Sequence, residues 1–264
     1  MLMSKLSKTA KKVLILSLAI LLLLLVGCLA GQKAKAPTEP VADATETETV
    51  APTEEVYTPG EPVDAEWFDD AVFVGDSVTL KLSYYCDEHP EALGKAQFFC
   101  AGSLGYGSSL WELNAEGAVH PYYKGETRLS EDCAEATGAK KVFIMLGMND
   151  VAVYGVDGTI EKADELYSRI LAKTPDVSFY IQSVTPILYG HEIGDLNNET
   201  IRSFNEALEE YCSEHGYTYL DINSVMADET GYLREEYCGD PGAQGIHFTD
   251  AACKLWSDTL KEKV

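Results

Sequence analysis

Ser77 follows a short apolar run, Ala71-Val72-Phe73-Val74, with only Gly75 and Asp76 between. A serine at the carboxyl end of a buried strand stands where open α/β sheets carry their chemistry, and Gly75 lets the backbone turn sharply before it. Ser77 is therefore a candidate nucleophile; a plain loop serine or helix cap is the alternative reading. Three further segments offer what a serine nucleophile needs. Behind Gln97-Phe98-Phe99-Cys100 comes the turn Gly102-Ser103-Leu104-Gly105-Tyr106-Gly107. Behind the apolar run from Lys140 to Leu146 comes Gly147-Met148-Asn149-Asp150, and near the end comes Gly245-Ile246-His247-Phe248-Thr249. A glycine N–H and an asparagine amide are both suited to a developing oxyanion. A histidine can take the serine's proton and return it. His89, His120, His191 and His215 lack a comparable setting.

Strand and helix patterns alternate around these residues. Strands are expected at Ala71–Val74, Gln97–Cys100, Lys141–Leu146, Val177–Val184 (stopped at Pro186) and Tyr217–Ile222. Helices are expected over Val78–Glu88, Arg128–Thr137, a stretch capped by Thr159 with the stripe Ile160, Ala163, Tyr167, Ile170 and Leu171, and Glu199–His215. Thr249 or Asp250 caps a last helix that turns Ala252, Leu255, Trp256 and Leu260 inward. Such alternation implies βαβ units and a mostly parallel five-stranded sheet covered on both faces, an α/β fold. No internal repeat is visible.

The four blocks together resemble the SGNH hydrolases, or GDSL esterases, and the resemblance runs from about residue 67 to 264. It implies a three-layer α/β/α sandwich and a serine ester hydrolase that needs no cofactor. On it, Ser77 matches the nucleophile, with its own N–H as one oxyanion donor. Gly105 best matches the second donor, with Gly102 and Gly107 as alternatives, Asn149 matches the third, and His247 matches the base. The family's last block is Asp-x-x-His, and here the residue three before His247 is Gln244. An amide cannot stabilise an imidazolium by charge, and in serine proteases that exchange costs about 10⁴ in turnover. Three routes stay open. Asp240 reaches the histidine by another loop path, a backbone carbonyl orients it in a Ser-His dyad, or the chain only binds. The Pro241-Gly242 turn and the occupied three-residue spacing favour the dyad. An α/β-hydrolase is a weaker fit, because no Gly-x-Ser-x-Gly elbow occurs.

The ends and composition bear on place and partner. Lys5, Lys8, Lys11 and Lys12 precede an uncharged run from Val13 to Val26, which reads as a secretory signal over residues 1–27. Leu25-Val26-Gly27-Cys28 looks like a bacterial lipobox, with Cys28 the lipidated first residue of the mature chain. A transmembrane anchor is the alternative, but the run is short of a span of about 20 residues. Residues 28–64 carry five of the ten prolines and the low-complexity Thr45-Glu46-Thr47-Glu48-Thr49, so they read as a linker unable to offset its ordering entropy. The domain proper is 65–264, held outside the cytoplasm and at the membrane only by its lipid. The formal charge of −23 argues against nucleic acid as a partner. No Cys-x-x-Cys or His-x-x-x-His spacing suggests a metal. Cys86, Cys100, Cys133, Cys212, Cys238 and Cys253 fall largely on apolar faces, where buried thiols fit at least as well as disulfides.

An extracytoplasmic SGNH domain would meet cell-wall and extracellular glycans, which favours a carbohydrate O-deacetylase. A lysophospholipase or thioesterase and a non-catalytic surface binding lipoprotein are the competing classes. Tyr106, Trp111, Tyr122, Tyr123, Tyr154 and Tyr189 fall in expected loops, where core or loop packing is the first reading for each and stacking on sugar rings the second. The lipobox predicts that Cys28→Ala releases or mislocalises the protein, since a lipid chain gains about 0.8 kcal/mol per buried CH₂. Mass spectrometry of the membrane fraction checks it, and finding residues 1–27 intact in the mature protein would favour the transmembrane alternative.

Overall fold

The computed structural model describes residues 61–264; the expected signal segment, Cys28 and nearly all of the linker lie outside them. The strands are β1 (Ala71–Gly75), β2 (Gln97–Cys100), β3 (Tyr122–Tyr123), β4 (Glu126–Thr127), β5 (Lys141–Met145), β6 (Ser178–Gln182) and β7 (Thr218–Leu220). The helices are α1 (Ser77–Glu88), α2 (Tyr106–Ser109), α3 (Cys133–Thr137), α4 (Val151–Lys173), α5 (Asn198–His215), α6 (Asn223–Met226) and α7 (Asp250–Lys263). Five strands form one parallel sheet in the order β2-β1-β5-β6-β7, and β3 with β4 makes a separate antiparallel hairpin.

Side chains alternate along each strand, so every strand of a doubly covered sheet feeds two cores. Val72, Val74, Val142 and Ile144 meet Leu166, Ile170, Ile201 and Phe204 of α4 and α5. Ala71, Phe73, Phe143 and Met145 meet Leu82 of α1 and Ala252, Trp256 and Leu260 of α7. The α/β/α sandwich expected from the alternation is the fold observed. On the second face an aromatic ladder crosses four strands. Phe98, Phe73, Phe143 and Tyr180 are register partners. Their rings follow one another at 5.3, 4.5 and 4.6 Å between centroids, and the last two pairs lie nearly parallel at 12°.

Two helices depart from expectation. α4 starts at Val151, not Thr159, and the chain passes through Gly155 in a non-helical conformation with φ 68°. Thr159 does not cap; its hydroxyl donates back to the Gly155 carbonyl at 2.6 Å. Gly155 breaks the element, so a first turn that buries Val151 meets the long helix carrying Thr159 at a kink. The expected helix 128–137 is a 3₁₀ turn at Ser130–Asp132 followed by the short α3. The hairpin β3–β4 carried no period-2 pattern long enough to be read. All six cysteines in the described residues are buried free thiols.

Phe143 stacks on both sides in the ladder and is fully buried. Phe143→Ala is expected to cost about 3–5 kcal/mol, read as a lowered urea midpoint at unchanged m-value.

Candidate active site

Ser77 opens α1, directly after β1. Asp76 is the N-cap and accepts from the Val78 N–H at 2.8 Å. Ser77 is thus the first helical residue, and its N–H finds no acceptor among the described residues. That free N–H sits at the positive end of the helix, a favourable place for an anion. Gly75 leaves no room for a side chain, since a Cβ would lie 2.0 Å from the Thr79 hydroxyl.

Ser77 Oγ lies 2.9 Å from His247 Nε2, and His247 Nδ1 lies 2.7 Å from Asp240 Oδ2. The three groups make one hydrogen-bonded chain across 170 residues of sequence. The backbone carbonyl expected to orient His247 in a dyad is not what the structure places there; Asp240 holds that position. The reason is the loop itself. Pro241-Gly242 turns the chain back on Asp240, whose carbonyl accepts from the Ala243 N–H at 2.9 Å. Its carboxylate then organises the return strand. Oδ1 accepts from the Ile246 and His247 N–H groups, both at 3.0 Å, and Oδ2 accepts from the Gln244 N–H at 3.2 Å. Gly239 N–H donates to the His247 carbonyl at 2.7 Å and closes the loop. Gln244 contributes only that backbone N–H, and its side chain faces solvent. Burial works to raise the Asp240 pKa, but the side-chain and backbone hydrogen bonds from His247 outweigh it and hold the carboxyl below its ordinary value.

Asn149 follows β5 and joins the other two blocks. Its Nδ2 donates to the Leu104 carbonyl at 2.9 Å and stands 3.4 Å from Asp76 Oδ2. It therefore touches the residue before Ser77 and the residue before Gly105. Asn149 is exposed, while Asp76 beneath it is buried. Burial raises the Asp76 pKa to about 6 against the hydrogen bonds from Val78 and Thr79. Gly105 sits at the cap of α2, and its N–H is donated to Ser108 Oγ at 2.9 Å. Presenting that N–H to an oxyanion requires the Ser108 side chain to turn away.

The residue after Asn149 is one that sequence reading left without a role. Asp150 is buried, and its two carboxylate oxygens accept from the Tyr106 and Gly107 N–H groups at 2.8 and 2.9 Å. It thereby locks the 102–107 turn to the start of α4. A Cβ on Gly105 would lie 2.6 Å from both oxygens, so only glycine admits this carboxylate. Burial raises the Asp150 pKa despite those donors. An acidic residue next to a candidate donor was the available signal, but its partners lie more than 40 residues away. Of the loop aromatics, Tyr106 and Tyr123 are core residues and not stacking platforms; Trp111, Tyr122, Tyr154 and Tyr189 are exposed.

The chain can therefore move a proton from Ser77 Oγ to an imidazole backed by a carboxylate, beside a free helix N–H and an exposed amide. Among the described residues no cluster of side chains suits a metal ion.

The model of the GDSL-like lipase/acylhydrolase family matches residues 73–255. No curated protein is significantly similar to the chain. Among solved structures it is similar to a GDSL-like lipase from Bacteroides thetaiotaomicron, at 18% identity over 76% of this chain and 89% of that one, with a TM-score of 0.55. It is also similar to a candidate acylhydrolase from Bacteroides fragilis, at 16% identity over 72% and 84%, with a TM-score of 0.54. At these identities the likeness speaks for the fold.

The Asp240 geometry predicts that Asp240→Asn lowers kcat by about 10⁴, as loss of a triad carboxylate does in serine proteases. Gln244→Asp is expected to leave kcat within about threefold, because position 244 points to solvent. Steady-state kinetics on an aryl acetate checks both; a nearly unchanged Asp240→Asn rate would restore the dyad.

Proposed function

The chain belongs to the GDSL-like lipase/acylhydrolase family, and on that premise we propose that Ser77, His247 and Asp240 are the nucleophile, base and orienting carboxylate of an esterase that removes short acyl groups from carbohydrate at a bacterial surface. The broad activity is that of an SGNH-type acylhydrolase, a serine esterase. The observation that carries the assignment of roles is the continuous chain Ser77–His247–Asp240, at 2.9 and 2.7 Å.

Ser77 Oγ attacks the ester carbonyl carbon as its proton passes to His247 Nε2. The carbonyl oxygen becomes an oxyanion facing the Ser77 N–H, with the Asn149 amide available once it turns from Asp76 and the Gly105 N–H once Ser108 releases it. Asp240 steadies the imidazolium formed meanwhile. Collapse of the intermediate breaks the ester C–O bond, and His247 returns the proton to the departing alcohol. Water then repeats the attack on the acyl-serine, giving its proton to His247, and the carboxylic acid and free Ser77 are restored.

The preference for a short acyl group on carbohydrate rests on the charge and on the tethering read from the sequence. The charge of −23 disfavours approach to anionic lipid faces. The basic n-region and lipobox ending in Cys28 support tethering outside the cytoplasm, where glycans are the accessible polymers.

A fluorophosphonate probe is expected to label the wild type and not Ser77→Ala; an unlabelled wild type would favour the non-catalytic binder. On the short-acyl reading, kcat/KM for p-nitrophenyl esters is expected to fall by about tenfold or more from acetate to octanoate. Equal or better turnover of octanoate would favour the lipid hydrolase.

A further inference from the structure

The segment after β6 does more than lead to α5. Leu188 N–H donates to the Gly245 carbonyl at 2.8 Å, and His191 Nδ1 lies 3.2 Å from the Ala243 carbonyl. The His191 ring fills the place of a Cβ on Gly245, as close as 2.6 Å, and Gly245 has φ +69°. This wall therefore starts two residues before His247. At its other end Glu192 faces a polar pocket of about 470 Å³ between the start of α5 and the turn around Thr230.

The pocket offers hydrogen-bonding groups of both kinds. Glu192 Oε1 accepts from the Asn198 N–H at 2.7 Å, and its Oε2 lies 3.5 Å from the Tyr232 hydroxyl, so the side chain is held in place. Glu199 and Arg202 also line it, and neither has an ion-pair partner among the described residues. On the same wall Tyr189 is 75% exposed, and its ring meets Tyr232 edge to face at 5.1 Å and 82°. A rigid exposed ring beside fixed acceptors and an unpaired guanidinium is the equipment for a molecule with an apolar face and a rim of hydroxyls.

We propose that this pocket is a subsite for a neutral sugar unit of the glycan whose ester is presented to Ser77. The proposal rests on the esterase reading above and names its substrate class. Sugar hydroxyls both donate and accept, so they satisfy Glu192 and Glu199 on one side and Arg202 on the other. An acyl chain would leave those groups desolvated without partners, which is costly. An anionic ligand would meet two carboxylates for one guanidinium, on a chain of charge −23. Tyr189 supplies the stacking face that joins the pocket to the loop carrying His247.

The test uses the full-length protein and a panel of neutral hexasaccharides: xylohexaose, cellohexaose, mannohexaose and hexa-N-acetylglucosamine. Binding of these ester-free sugars is measured by calorimetry on wild type, Tyr189→Ala and Arg202→Ala. Turnover of p-nitrophenyl acetate is measured on the same three proteins. At least one hexasaccharide is expected to bind, and Arg202→Ala is expected to weaken it about tenfold or more, the worth of one hydrogen bond to a charged group. Tyr189→Ala is expected to weaken it similarly. Aryl acetate kcat/KM should stay within about twofold in both, since neither side chain belongs to the Ser77–His247–Asp240 chain. No binding by any of the four sugars, or binding unchanged in both variants, overturns the subsite. Loss of wild-type aryl acetate turnover would overturn the esterase reading separately, because the sugar-binding result does not depend on it.

Discussion

The parallel register between β1 and β5 is the constraint on which the rest depends. It pairs Gly75 with Met145, so both strands end level and their loops leave from one edge. The stacked rings of Phe73, Phe143 and Tyr180 hold that register on one face. A slip of one residue would turn each of these rings to the other core and move Asn149 out of reach of Asp76. With the register kept, Asn149 meets Asp76 and Leu104, and three separate loops become one surface.

Carboxylates do the second half of the organising, and each works by collecting backbone N–H groups. Asp76 caps α1 and fixes where Ser77 begins. Asp150 holds the N–H groups of Tyr106 and Gly107. Asp240 holds those of Gln244, Ile246 and His247 while also facing the imidazole. A short loop has few apolar contacts to define it, and a buried carboxylate satisfied by several N–H donors defines it strongly. The same donors stabilise the charged form, which offsets the cost of burying it. In Asp240 they prevail over burial; in Asp76 and Asp150 burial prevails.

The 188–192 segment is tied to the histidine loop by one backbone hydrogen bond and by the His191 ring, and it leads to a polar pocket. That pocket is lined by Glu192, Glu199 and Arg202, side chains suited to hydroxyl groups rather than to an acyl chain.

Alternation of apolar runs with helical stripes made the α/β fold readable, because period 2 and period 3.6 are local properties of the chain. Ser77, Asn149 and His247 were readable as candidates because each stands just past an apolar run or in a glycine-marked turn. What the sequence could not decide was distance through space. Gln244 occupies the expected spacing from His247, yet Asp240, seven residues away, makes the contact. A Pro-Gly turn looks in sequence like a separation between Asp240 and the histidine. In three dimensions it is the fold-back that lets one carboxylate collect three N–H groups and the imidazole. Likewise the roles of Asp150 and Ser108 depend on where the 102–107 turn comes to rest, and Thr159 lies inside the helix that follows the Gly155 kink rather than capping it. Local chemistry is written in local order; which polar groups finally pair is settled by packing that brings distant backbone together, and only the tertiary structure contains that information.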